Sequence, residues 1–314
     1  MKQTMTAVVQ DGLGGPEVLY LTETDRPVPG FGEVLVRVSA AGVNPIDGKT
    51  RESGAFLGWP PFVLGWDVSG VVEETGPGVR LFESGDEVYG MPAFPAQAGA
   101  YAEYVVAPAR HFAPKPGRLT HVEAAALPLA ALTARQALVD AGRVRPGDRV
   151  VVHGAAGGVG HLAVQIAKAL GAYVIATARA AQHPVLRELG ADELLDFTEV
   201  DVHAAIKDAD FVLDPLGGQD AFRALESLRD GGTLVSLPSP EDDAVIAAAA
   251  ERRIRAGFML VQPDPVGLHH IAALADAGKV RPLVAATFPL AEVARAHRFA
   301  EAGGVTGKTV LTIR

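Results

Sequence analysis

The chain has 314 residues, a net charge of −9 and no cysteine. With 48% apolar and 21% charged residues it reads as a globular protein long enough for roughly two domains. The acidic balance offers no basic stripe for a nucleic-acid backbone, and the lack of cysteine excludes disulfides, thiolate metal sites and a cysteine nucleophile.

The first ~120 residues are β-rich in texture. Val34–Val38 and Val68–Glu73 are β-branched runs, and turn residues recur at Gly14-Gly15-Pro16, Pro29-Gly30, Gly85-Asp86 and 114–117. Short strands at that spacing predict a small barrel or sandwich. At Thr120, a good N-cap, the texture changes to an Ala- and Leu-rich helix predicted over His121–Ala141. From Asp148 to about Leu260 the elements alternate. Strands are predicted at 149–153, 173–177, 211–213, 233–237 and 254–260, and helices at 158–170, 185–189, 219–228 and 242–252. Such alternation calls for a parallel sheet covered on both faces. Amphipathic helices at 266–277 and 290–302 precede a last strand, 309–313, expected to return to the first domain. There is no continuous apolar secretory stretch and no apolar window of ~18 residues, so a cytoplasmic protein without a membrane span is expected.

The segment 149-RVVVHGAAGGVGHLAVQIAKALGAYVIATAR-179 is the most specific feature. A β run enters a Gly-rich turn, a helix follows with Val159, Leu162, Ala163, Ile166 and Leu170 on one face, and a second β run closes the unit. This is the context of a dinucleotide fingerprint, with Ala155, Gly157 and Gly160 at its three glycine positions. Ala155, Ala156, Gly157, Gly158, Val159 and Gly160 are the candidate cradle for a pyrophosphate, which the amides and dipole of a helix start favour. The second strand ends Thr177-Ala178-Arg179, without the acid that would bind a ribose 2′-hydroxyl. Arg179, with His183 nearby, suits a 2′-phosphate, so NADP(H) is expected over NAD(H). The plain alternatives are a tight turn without ligand and a solvated arginine.

Taken together, AAGVNPID (40–47), LGWDVSGVV (64–72), GDEVYG (85–90), GAYAEYVV (99–106), AAALPLAALTA (124–134), HGAAGGVG (153–160) and GKTVL (307–311) resemble the medium-chain dehydrogenase/reductase superfamily, in its zinc-free quinone oxidoreductase branch. The resemblance implies an α/β protein with a GroES-like β-rich catalytic domain, 1–122 and 286–314. Its second domain is a Rossmann domain, 123–285, with a doubly wound parallel sheet of order 3-2-1-4-5-6. The positions matching the zinc ligands of metal-dependent relatives look like Asn44, Trp66 and Leu129, none a thiolate, so no metal is expected.

By the same resemblance Asn44 and Asp47 lie beside the nicotinamide ribose and substrate. Lys49 and Phe56 stand where relatives often place tyrosines, and Lys49 is a candidate enolate stabiliser. Phe56 and Trp66 line the substrate pocket, Thr133 packs by the nicotinamide, Phe197 stacks on adenine and Lys308 meets the pyrophosphate. Pro215, Leu216, Leu237, Pro238, Phe258 and Leu260 follow later β runs, on the edge where open α/β sheets bind ligands. The function implied is NADPH-dependent reduction of quinones or α,β-unsaturated carbonyls without metal. These acceptors yield delocalised anions that modest hydrogen-bond donors can stabilise. The alternative is a catalytically silent NADPH-binding or sensor protein. A homodimer paired through the 254–260 sheet edge is expected, and no nucleic-acid or membrane partner.

Overall fold

The computed structural model describes residues 3–238 and 243–313. The chain forms two compact units, one running to Leu132 and resuming at Gln262, the other Thr133–Val261. These limits lie at 132 and 262, where the resemblance implies 122 and 286. The alanine segment after residue 123 belongs with the first unit's strands, Ala125 and Ala126 packing with Ala40 and Val310. The helix Pro265–Asp276 is held there too, its Leu268 carbonyl accepting from the Tyr89 hydroxyl at 2.6 Å.

The first unit opens with β1 (Thr4–Gln10), β2 (Tyr20–Asp25), β3 (Glu33–Val43), β4 (Phe62–Val63), β5 (Asp67–Thr75), β6 (Glu87–Gly90), β7 (Tyr104–Pro108) and β8 (Phe112–Pro114). The second unit contributes β9 (Arg149–Val152), β10 (Tyr173–Thr177), β11 (Glu193–Leu195), β12 (Ala209–Asp214), β13 (Leu228–Ser236) and β14 (Arg255–Phe258). The chain then returns with β15 (Val284–Pro289) and β16 (Lys308–Thr312).

In the first unit β2-β1-β4 form one sheet, and β15-β16-β3-β5-β6-β8 another, with β7 also paired to β3. Alternate residues of β3 and β5, among them Val34, Val36, Val38, Val68 and Val72, enter one apolar core with Val88, Phe112 and Leu311. Alternate side chains of a strand face the same side of its sheet, which is why these β-branched residues share one core. The last strand returns as expected, β16 pairing antiparallel with β3 at Val310↔Gly42 and Thr309↔Val43.

The second unit is a parallel sheet of order β11-β10-β9-β12-β13-β14, the doubly wound 3-2-1-4-5-6 arrangement. Its central strands are continuous apolar runs (Val150, Val151, Val152, Val212, Leu213), as strands covered on both faces must be.

Several element limits differ from the sequence expectation. The helix over 121–141 divides into His121–Ala125 and Pro128–Arg135, then widens to a π-helical stretch, Gln136–Ala141. Pro128 disfavours helical backbone at Leu127, which accounts for the break. Thr120 is the N-cap as expected, accepting from Glu123 N–H at 3.2 Å while Glu123 Oε2 accepts from Thr120 N–H at 2.8 Å. The helix expected over 219–228 ends at Ala224, and Leu228 already starts β13. The helix expected from Asp242 covers Asp243–Glu251, and Asp242 itself lies outside the described residues. β11 has only three residues and a glutamate first, too short a run for periodicity to register. Among the described residues, no helix is long and apolar enough to cross a membrane.

Candidate active site

In the second unit, β9 ends at Val152 and the turn that follows is made by Gly154, whose φ of +57° lies in the left-handed region. The three-glycine reading passes over this residue. At Gly160 an added Cβ would run into the Gly154 carbonyl and lie 2.7 Å from Ala155 Cα, so only glycine lets the helix Gly160–Ala169 start against the turn. Gly157 is less constrained, its Cβ position standing 3.2 Å from Gly154 O. Ala155 and Ala156 are buried, and Ala155 N–H donates to Thr177 O at 3.1 Å, tying the turn to the end of β10. Gly157 N–H closes the turn on Gly154 O at 2.9 Å. Among the described residues nothing accepts from the backbone N–H of Gly158, Val159 or Gly160. A compact cradle with unspent amides at a ten-residue helix start fits a dinucleotide pyrophosphate.

At the end of β10, Arg179 is exposed and its guanidinium carbon lies 6.0 Å from the centre of the Phe197 ring. Two candidates far apart in sequence are thus neighbours. A nearby acid, Asp196, accepts from Thr198 Oγ1 and Thr198 N–H at 2.7 and 2.8 Å and from Ala180 N–H at 2.6 Å. Those bonds hold its carboxyl below the usual range. His183 directs Nε2 to Ala178 O at 3.0 Å, so that ring nitrogen is spent on the backbone. Thr177 turns inward, its Oγ1 3.0 Å from His153 Nδ1.

Further along the same edge Asp214 is an organiser that sequence reading missed. Its two oxygens accept from Leu216 N–H (2.9 Å), Gly217 N–H (3.0 Å) and Ser236 Oγ (3.3 Å), fixing the loop that carries Pro215 and Leu216. Leu237 N–H donates to Asp214 O at 3.0 Å, placing Leu237 and Pro238 beside that loop. Phe258 ends β14, Met259 N–H bonds Ser236 O, and Leu260 follows half-buried. Thr133 is buried in its helix.

In the first unit the structure gathers Asn44, Asp47 and Lys308 around a fourth residue, Asp67. Asp67 Oδ2 accepts from Asn44 Nδ2 at 2.8 Å and lies 3.4 Å from Lys308 Nζ, and Oδ1 accepts from Leu129 N–H at 2.6 Å. Lys308 donates also to Val43 O at 3.0 Å and to Asn44 Oδ1. All four side chains are buried, Asp47 and Asp67 with no exposure. Gly42 makes room for this hub, since a Cβ there would meet Asp67 Oδ2 at 2.7 Å. Asp47 Oδ2 accepts from Asn44 N–H at 2.7 Å and fixes the start of the helix Pro45–Ser53. Burial, opposed by the bond from Asn44, raises the Asp47 carboxyl to about 7.

Lys308, expected against a pyrophosphate, therefore has its three ammonium hydrogens directed at Val43, Asn44 and Asp67. Lys49 projects from the exposed side of the helix, away from the buried cluster. Trp66 is 1% exposed and donates from Nε1 to Ala96 O at 2.8 Å. Phe94, not singled out in the sequence, stands edge-on to both Trp66 (5.4 Å) and Phe56 (5.6 Å), and Phe56 is half exposed. At the three zinc-ligand positions the residues do not fit a metal: Trp66 and Leu129 bring no donor atom, and Asn44 Oδ1 already accepts from Lys308.

A barrel-like unit closed by the last strand and a doubly wound unit with this turn define a medium-chain dehydrogenase/reductase. Residues 30–117 match the alcohol dehydrogenase GroES-like domain family and residues 189–311 the zinc-binding dehydrogenase family. The chain is 35% identical to the mouse (Mus musculus) mitochondrial NAD(P)H oxidoreductase RTN4IP1, over 98% of this chain and 89% of that protein. It is 32% identical to mouse quinone oxidoreductase over 99% of both. The solved quinone oxidoreductase from Coxiella burnetii superposes with a TM-score of 0.92 at 38% identity, covering 99% of this chain and 100% of that one. The chain belongs to the quinone oxidoreductase-like branch of the superfamily and is an NAD(P)H-dependent oxidoreductase.

Proposed function

We propose that the protein is an NADPH-dependent reductase of quinones or α,β-unsaturated carbonyl compounds that works without a metal ion. The observation that carries the nucleotide preference is the end of β10. It presents Arg179 beside Phe197, and the nearby carboxylate of Asp196 is committed to Thr198 and Ala180. A cationic fork over an aromatic ring suits a phosphorylated ribose next to adenine. Bound on the Gly154–Gly160 turn, a reduced nicotinamide dinucleotide supplies the hydride. The edge residues Pro215, Leu216, Leu237, Pro238, Phe258 and Leu260, with Thr133, would enclose its nicotinamide half.

The chain's own part is placement and electrostatics. Asn44 is held rigidly by Asp67, Lys308 and the Asp47 bond to its backbone. A buried ammonium behind a fixed amide favours negative charge developing on an acceptor oxygen. Delocalised acceptors need no more than this, which fits a site where Trp66 and Leu129 stand at zinc-ligand positions and the Asn44 oxygen is bound to Lys308. Phe56 and Trp66, joined by Phe94, offer an aromatic wall for a planar acceptor. We assign the first unit, to Leu132 and from Gln262, to substrate binding and the second, Thr133–Val261, to the nucleotide. A second copy would pair along β14, the short strand at one end of the sheet, and sedimentation as a monomer would overturn that pairing.

The test is titration of NADPH and NADH, then loss of reduced-nicotinamide absorbance with benzoquinone, phenanthrenequinone and a short enone after chelator treatment. Tighter NADH binding overturns the nucleotide assignment, and activity lost to the chelator overturns the metal-free reading. The exposed position of Lys49, with no tyrosine there or at Phe56, favours one second reading, a silent NADPH-binding protein. Tight binding with no turnover on any acceptor would establish it.

A further inference from the structure

Among the described residues, five buried side-chain polar atoms of the first unit lack a well-formed hydrogen bond, and three of them belong to neighbouring residues: Asp47 Oδ1, the Tyr101 hydroxyl and His297 Nε2. Buried polar groups without partners are uncommon enough to require an explanation. The three residues adjoin one another. The Tyr101 ring stands edge-on to His297 with centres 5.8 Å apart, and the Tyr101 hydroxyl is among the groups that stabilise the ionised Asp47.

The roles of these atoms are fixed from outside. Arg51 is fully buried on the same helix as Asp47 and donates from Nη1 to His297 Nδ1 at 2.9 Å. A guanidinium can only donate, so His297 Nδ1 is an acceptor and its proton must sit on Nε2. Burial and the neighbouring Arg51 keep the ring neutral, its titration depressed to about 3. Arg51 is itself anchored to Gly14 O (2.9 Å), Glu301 (2.6 Å) and Glu52. His297 Nε2 is then a fixed donor, Asp47 Oδ1 an acceptor, and the Tyr101 hydroxyl can accept from one and donate to the other. The three unpartnered atoms are complementary.

We infer that Arg51, His297 and Tyr101 form a one-way hydrogen-bond chain, completed by one internal water, that ends on Asp47 and favours its ionised form. Tyr101 and His297 are positioning residues. They act through Asp47, whose other oxygen pins Asn44 N–H. The charged groups facing Asp47 from neighbouring strands are Asp67, which opposes ionisation, and Lys308, which favours it. Glu301 faces His297, 3.7 Å from Nδ1. Removing the Tyr101 hydroxyl leaves all of these in place.

The role assigned to Asn44 rests on the proposed reductase reading, but the chain can be tested apart from it. The Asp47 carboxyl is titrated by difference infrared spectroscopy, its band assigned as the one lost in Asp47→Asn. Tyr101→Phe keeps the ring and should raise the midpoint by about one unit. His297→Phe removes the fixed donor and should raise it less, and His297→Gln, which keeps a donor and an acceptor, should restore it. Acceptor reduction should lose activity on the acid side with the same midpoint and the same shifts. An unshifted Asp47 band in folded Tyr101→Phe and His297→Phe proteins overturns the chain. Should either fail to fold, a high-resolution crystal structure of the wild type with no water and no direct bond joining the three atoms overturns it equally. Shifted bands with no turnover on any acceptor would keep the chain and refute the reductase reading.

Discussion

Asp67 shows how a residue can decide a site without announcing itself. In the sequence it is one of 37 acidic residues, placed just before the β-branched run Val68–Glu73, where a buried carboxylate is not expected. Its importance comes from partners 23, 62 and 241 positions away, which no local pattern can reveal. Asn44 and Asp47 were legible because the NPID turn brings them together locally, whereas Tyr101 and His297 were not. Removing one partner of a buried charge pair strands the other, so Lys308→Met should cost about 3 kcal/mol or more in denaturant unfolding. A loss below 1 kcal/mol would mean that Asp67 keeps a counter-charge elsewhere. Arg179→Ala should weaken NADPH binding about tenfold or more and leave NADH binding nearly unchanged. Equal loss for both nucleotides would show that the arginine does not contact the 2′-phosphate.

Among the elements, those with a strong period or a long apolar run were readable: β9, β10, β12 and the helix Gly160–Ala169 all lie within a few residues of their expected limits. Legibility failed where tertiary packing overrides local preference. β11 is three half-buried residues paired to β10, and the wide-turned stretch 136–141 ends at Gly142, where a Cβ would strike the Phe211 ring. The Gly-rich turn lies where the sequence placed it, but the residue in it with a left-handed backbone is Gly154, outside the three motif positions. Gly160→Ala should therefore prevent the helix from seating on the turn and abolish nucleotide binding, and Gly157→Ala should be tolerated with a loss of about 1 kcal/mol. Calorimetric titration of both variants separates these outcomes. Equal behaviour would show that the turn relaxes as a whole.

The whole molecule carries an opposed pair of acid responses. His153 and His297 are buried and depressed from 6.5 to about 3, so they remain neutral when folded and take up protons on unfolding. Their contribution to stability is complete above 6.5 and is lost as the pH falls toward 3. Asp47 runs the other way. Raised from 3.8 to about 7, it contributes stability below 3.8 that is lost as the pH rises through 7. Between those values the carboxyl partly offsets the histidines. Asp47→Asn removes the offset, and the fall in unfolding free energy on acidification should steepen by about 1.4 kcal/mol per pH unit. Denaturant titrations at several pH values measure the slope, and an unchanged slope would place the Asp47 titration outside this interval.

The ammonium that completes the Asn44 cluster enters the chain 264 residues after the amide it holds. During synthesis, a nascent polypeptide with the entire parallel sheet already folded would still carry an unfinished first unit, its Asp67 carboxylate awaiting a counter-ion. The Asn44 cluster is therefore completed late, and a ribosome stalled shortly before residue 308 would hold a chain whose parallel sheet is whole and whose Asp67 still lacks the Lys308 ammonium.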